Sequence, residues 1–186
     1  ADSGMICFSN PEDDEEVRKL SWLGINKDTY ARTAAQGAYK WMYDVERVGY
    51  KFHGNSIMAA IGLVQLKYLD RDNAYRRQLA HWYRSEFSGA ANIKLIPIAT
   101  GIESATHLFQ VRVSNRDELM LALNENEIYP GVHYRDNTEY SMYKSGNGNC
   151  PRAAKASQEI LSLPMHMGIT HEDVVTIASL VKKYAK

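Results

Sequence analysis

Between Asn55 and Gly89 apolar side chains recur at helical spacing, and this stretch constrains the fold more than any other part of the chain. Ile57, Ile61, Val64 and Tyr68 mark one face, and Tyr75, Leu79, Tyr83 and Phe87 continue the stripe. Asn55 suits the start, because its short polar side chain can accept a hydrogen bond from a free backbone N–H of the first turn. The run is longer than a typical globular helix, and the polar Asp70-Arg71-Asp72-Asn73 lies in its middle. The spacing therefore predicts a long linking helix over residues 55–88, or two helices with a bend at Asp70–Asn73. Either could join two domains.

The residues before it read as part of an α/β layer. Gly4-Met5-Ile6-Cys7-Phe8 is an apolar run of the kind found in a strand buried on both faces, and such a strand needs neighbours. Asn10-Pro11 followed by Glu12, Asp13 and Asp14 is a helix start, with a cap, a proline suited to the first turn and acids against the positive dipole end. Gly24 can end that helix. A strand and a helix with no partner strand predict that the chain is a fragment, with residues 1–54 forming the end of a larger domain.

After Gly89 the pattern shortens. Ile93–Ile96, His107–Val113 and Ile160–Pro164 read as strands, and Asn115-Arg116-Asp117-Glu118 opens a helix carrying Leu119 and Leu123. Thr170 with Asp173 three residues on opens a last helix bearing Val174, Ile177, Val181 and Tyr184. Residues 89–186 are thus expected to form a small α+β domain.

Charge narrows the function. Lys+Arg 22 balance Asp+Glu 22, so the chain sets up no overall field for nucleic acid or an anionic membrane. The arginines at 76, 77 and 84 fall off the Tyr75-Leu79-Tyr83 stripe and read as a solvated face rather than as an RNA surface. No apolar run is long enough for a membrane helix, and the expected location is cytoplasmic. Cys7 and Cys150 show no metal or disulfide spacing, and the six histidines are scattered, so no metal site is expected.

Two segments gather polar groups. In Gly49-Tyr50-Lys51-Phe52-His53-Gly54-Asn55-Ser56, cationic, amide and hydroxyl groups precede a helix N-terminus, an arrangement that can hold a phosphate or carboxylate; an ordinary capped loop reads the same way. In Tyr129-Pro130-Gly131-Val132-His133-Tyr134-Arg135-Asp136, a Pro-Gly turn presents His133, Tyr134 and Arg135 together, a donor set for an anionic or sugar ligand. The competing reading is that Tyr134 packs and Arg135 pairs with Asp136.

The same segments, in order, resemble the later half of the DegT/DnrJ/EryC1/StrS sugar aminotransferases. The likeness runs through Ser3-Gly4-Met5-Ile6-Cys7, Leu20-Ser21-Trp22-Leu23-Gly24, Gly49-Tyr50-Lys51-Phe52-His53, Ala59-Ala60-Ile61-Gly62 and Gln65-Leu66-Lys67-Tyr68-Leu69-Asp70. It continues through Gly131-Val132-His133-Tyr134 and Glu159-Ile160-Leu161-Ser162-Leu163-Pro164. The resemblance implies an α/β chain of the PLP-dependent transferase fold type I, with pyridoxal 5'-phosphate as cofactor. It implies a homodimer whose active sites are shared, and nucleotide-sugar and amino-acid substrates. Lys51, His53 and Asn55 are expected to contact the cofactor phosphate in the neighbouring subunit, and His133, Tyr134 and Arg135 to border the substrate.

Many members carry Asn and Arg where this chain has Lys51 and His53. The lysine that forms a Schiff base with the cofactor belongs, by the same resemblance, to a motif that Lys27, Lys40 and Lys51 do not match. The segment alone is expected to be inactive. A sugar dehydratase of the same family, in which histidine replaces that lysine, and a non-catalytic binding or dimerisation module are the alternatives.

Overall fold

A computed structural model describes residues 4–26, 43–146 and 148–186. The chain divides into two compact units, residues 1–67 and 68–186. In the first, α1 spans Pro11–Ser21 and α2 spans Ser56–Leu66. In the second, α3 (Leu69–Glu86), β1 (Lys94–Leu95), β2 (Phe109–Arg112), α4 (Arg116–Glu125), α5 (Pro151–Glu159), β3 (Ile160–Leu163) and α6 (His171–Tyr184) follow in order.

Among the described residues, the first unit is held mainly by caps and backbone pairing, with Ile25 its one buried hydrophobic side chain. The Asn10 side chain accepts from Glu12 N, Pro11 sits in the first turn, and the chain leaves α1 through Leu23 and Gly24, both with positive φ. Gly24 N–H donates to Lys19 O at 2.8 Å, closing the helix end. Lys19 bridges Glu15 and Glu46, and Asn26 Nδ2 donates to Glu46, which ties residues 43–50 to α1. These contacts raise the Lys19 pKa, Glu15 foremost, and lower that of Glu46, Asn26 foremost. Gly4–Phe8 does not form the expected strand: Met5 is 92% exposed, and no ladder partner lies among the described residues. An apolar run becomes a strand only when a neighbour takes its N–H and C=O groups.

The break in the long helical stretch falls at Lys67–Tyr68, between α2 and α3, rather than at Asp70–Asn73. Asp70 and Asp72 lie in the first turn of α3, where their charge complements the dipole. Acids that looked like an interruption are a helix start.

The second unit has one core. Its antiparallel sheet runs β1-β2-β3, with Lys94 opposite Arg112 and Phe109 opposite Leu163. Val111, Leu161 and Leu163 from the sheet meet Leu79, Tyr83 and Phe87 of α3, Leu119 and Leu123 of α4, and Val174, Ile177 and Val181 of α6. Thr170 and Asp173 form the reciprocal cap at the start of α6. The arginines of α3 are not all solvated: Arg76 donates to Met165 O at 3.4 Å and Arg84 to Ile96 O at 2.8 Å, both half-buried. Their long stems let them cross to neighbouring carbonyls.

Candidate functional site

Residues 49–55 are laid against the end of α1 by their backbone. Tyr50 N donates to Leu20 O at 2.7 Å, Leu23 N to Tyr50 O at 3.0 Å, and Phe52 N to Ser21 O at 2.9 Å. Trp22 and Lys51 form an antiparallel bridge. The approach is close enough to require glycine at two points. A Cβ on Gly49 would lie 2.1 Å from Gly24 N, and one on Gly24 would lie 1.8 Å from Arg47 O.

Above this frame the side chains stand in the open. Lys51, Phe52, His53 and Asn55 are exposed. The Trp22 indole serves two of them: Lys51 Nζ lies 5.4 Å from its ring centroid and the His53 ring meets it edge-on at 3.9 Å. Asn55 Oδ1 accepts from Met58 N at 3.0 Å and so caps α2, whose first turn carries no acid. Among the described residues, Lys51 has no carboxylate partner. The sequence reading of this loop did not include Trp22, whose place two residues before Gly24 gives it no polar signature.

This set suits a phosphate. Lys51 offers a cation with no carboxylate partner among the described residues, α2 offers the positive end of its dipole, and Gly49–Ser56 contains no acid to repel an anion. The residues present therefore fit a phosphate such as that of pyridoxal 5'-phosphate, the group that the resemblance leads one to expect here.

In the second unit, the turn at Pro130-Gly131 brings the next segment onto β3. Gly131 N donates to Ser162 O at 2.9 Å and Ser162 N to Gly131 O at 2.7 Å. The His133–Tyr134 peptide is cis. Gln110 Nε2 donates to His133 O at 2.7 Å, and His133 Nδ1 lies 2.9 Å from Ser162 Oγ. Tyr134 is 74% exposed, and its ring stands perpendicular to that of His133. Arg135 pairs with Glu139, which raises its pKa, and its guanidinium lies over the Tyr140 ring at 5.2 Å. Asp136 caps the short 3-10 turn Asn137–Glu139. Structure thus gathers His133, Tyr134 and Arg135 on one segment, with Arg135 engaged by its own turn. Gln110 and Ser162 hold that segment, and their trace in the sequence is a polar residue inside each of the apolar runs His107–Val113 and Ile160–Leu163.

Lys27 and Lys40 lie outside the described residues. Among the described residues no helix is long and apolar enough to cross a membrane.

Comparison with known proteins adds a family. The model of the DegT/DnrJ/EryC1/StrS aminotransferase family matches residues 1–182. The chain is 27% identical over 185 residues to dTDP-4-dehydro-2,3,6-trideoxy-D-glucose 4-aminotransferase of Saccharopolyspora spinosa, covering 98% of this chain and 48% of that protein. Its fold matches aminotransferase TlmJ of Streptoalloteichus hindustanus with TM-score 0.80 at 30% identity, over 95% of this chain and 46% of the other. Spr1654 of Streptococcus pneumoniae in its PMP form matches with TM-score 0.81 at 28% identity, over 95% and 46%. The chain spans about half the length of the curated relatives it matches.

Proposed function

The chain belongs to the DegT/DnrJ/EryC1/StrS aminotransferase family, and from that premise we propose that it is the C-terminal portion of a PLP-dependent nucleotide-sugar aminotransferase. The parent enzyme would move an amino group from an amino acid, with glutamate the expected donor, to a keto sugar carried on a nucleotide. We assign residues 1–54 to the end of the large domain, 55–88 to the linking segment and 89–186 to the small domain. Turnover is assigned to the parent protein and not to this segment alone, and its place to the cytoplasm.

The observation that carries this reading is the exposed Lys51–Asn55 loop. Lys51, free of any carboxylate among the described residues, faces outward beside the uncomplemented N-terminus of α2. A phosphate there gains a charge-assisted contact and the dipole field together. When bound, the cofactor ring supplies an electron sink for the pair left as the donor's α-proton departs. Lys51 and His53 would grip and orient the phosphate, and Asn55 fixes the helix end that faces it. His133 and Tyr134 would border the sugar or the donor carboxylate, with Arg135, paired to Glu139, beside them.

The surface supports a homodimer. Ile57, Ile61, Leu63, Val64 and Leu66 of α2 are all between 49% and 74% exposed. A helix apolar on every side is stable in water only when other protein covers it. A second subunit would cover part of this surface and receive the loop.

In the parent enzyme, Lys51→Ala and His53→Ala are each expected to weaken pyridoxal-phosphate affinity by roughly 10- to 100-fold, the loss typical of a charged hydrogen bond. Thermal unfolding of the apoprotein should move little, because both side chains are exposed. Equilibrium dialysis against the cofactor measures the first and calorimetry the second. Unchanged affinity in both variants rejects the phosphate assignment.

A further inference from the structure

Ser162 is a polar residue in the middle of an apolar strand, 3% exposed, and its backbone is fully used by the pairing with Gly131. Its hydroxyl has a single hydrogen-bond partner among the described residues, His133 Nδ1 at 2.9 Å. A serine hydroxyl carries one proton to donate and two lone pairs to accept with.

Two assignments are open to this contact. With the imidazole proton on Nδ1, the serine would accept, and its own proton would be buried without an acceptor. With the proton on Nε2, the serine donates to Nδ1 and its one donor is satisfied. A buried donor left unmade costs more than a spare lone pair, so the second arrangement is favoured.

Both the backbone and the ring of His133 are held by other neighbours as well. His133 O accepts from Gln110 Nε2. Gly131 lies against the ring so closely that a Cβ there would come 2.7 Å from Cε1. Nε2 has no partner among the described residues.

We propose that Ser162 is a positioning residue that fixes uncharged His133 as the Nε2–H tautomer, making His133 an aimed hydrogen-bond donor rather than a base. Its ligand is an acceptor oxygen on one of the two substrates, a sugar oxygen or the donor's carboxylate. This last clause rests on the reading that His133 borders the substrate.

The tautomer is measured on the full parent protein labelled with 15N-histidine, by long-range 1H–15N correlation at a pH where imidazole is uncharged. The expected spectrum shows a pyridine-like Nδ1 and a pyrrole-like Nε2 for His133. A pyrrole-like Nδ1, or two averaged nitrogens, overturns the proposal. Ser162→Ala should bring the averaged pattern and Ser162→Thr should restore the single tautomer. Should Ser162→Ala fail to fold, the wild-type spectrum alone decides.

In the parent enzyme, Ser162→Ala should raise the KM of one substrate by about three- to tenfold with kcat nearly unchanged, the loss of one oriented hydrogen bond. The substrate affected tells sugar from amino acid. A fixed Nε2–H tautomer with neither KM altered would leave the tautomer assignment standing and reject the reading that His133 faces substrate.

Discussion

Tyr83→Ala is expected to destabilise residues 68–186 by about 3–5 kcal/mol, the range for removing a large buried aromatic side chain. Tyr83 is fully buried and forms a three-ring cluster with Phe109, at 4.8 Å between centroids, and Phe87, at 6.2 Å, which also meet each other at 6.4 Å. Its hydroxyl donates to Pro164 O at 3.0 Å, just beyond β3. One side chain therefore links α3, β2 and the chain leaving β3, and alanine would leave a cavity where these three meet. Tyr83→Phe removes only the hydrogen bond and should cost about 1 kcal/mol. Urea unfolding of the two variants separates the terms.

The same residue gives a pH dependence. Burial, with a smaller contribution from the negative charge of Asp173, pushes the Tyr83 hydroxyl above the usual tyrosine range. The folded pKa is raised, so the associated stability is complete below the ordinary tyrosine pKa and is lost as pH rises beyond it, where the unfolded chain ionises first. Tyr83→Phe should flatten that alkaline loss. An unchanged alkaline limb would place the burial effect elsewhere.

Gly49→Ala is expected to abolish most cofactor binding in the parent enzyme while leaving Lys51, His53 and Asn55 in the sequence. Its Cβ would stand 2.1 Å from Gly24 N and 2.6 Å from the Leu23 carbonyl carbon, both backbone atoms. Backbone cannot swing aside as a long side chain can, so the pairing of Tyr50 with Leu20 and Leu23 must open. Displacing the loop weakens the charged contacts of Lys51 and His53 together, so affinity for pyridoxal phosphate is expected to fall on the order of 100-fold. Overpacking should also lower stability by about 1–3 kcal/mol. Affinity within a few-fold of wild type would mean that the loop does not depend on this close approach.

What the sequence made legible divides along a physical line. Features carried by one or two residues acting locally were readable: the caps at Asn10, Asn55 and Thr170, and the buried stripe Leu79-Tyr83-Phe87 all stand as their spacing implied. Features that need a distant partner were not. Gly4–Phe8 has no pairing neighbour among the described residues, and its apolar composition alone could not supply one. Asp70–Asn73 looked like a break because polarity within a stripe is ambiguous until the helix dipole is placed. The candidate site shows the same division. Lys51 and His133 carried recognisable chemistry, but the residues that orient them, Trp22, Gln110 and Ser162, lie 20 or more positions away and only the folded backbone brings them together.

Family membership rests on a match over residues 1–182. The claim that reaches beyond it is that the Lys51–Asn55 loop completes the active site of a second subunit. Mixing two inactive parent proteins tests this directly. One carries Lys51→Ala with His53→Ala, and the other has an intact loop but lacks the lysine that bonds the cofactor. After unfolding together and refolding, half of the dimers are mixed, and one site in each has both an intact lysine and an intact loop from its neighbour. The account predicts recovery of about a quarter of wild-type activity per subunit, by the statistics of a two-fold assembly. No recovery above the separate variants, with mixed dimers shown to form, would mean that the loop serves its own subunit and would contradict the account.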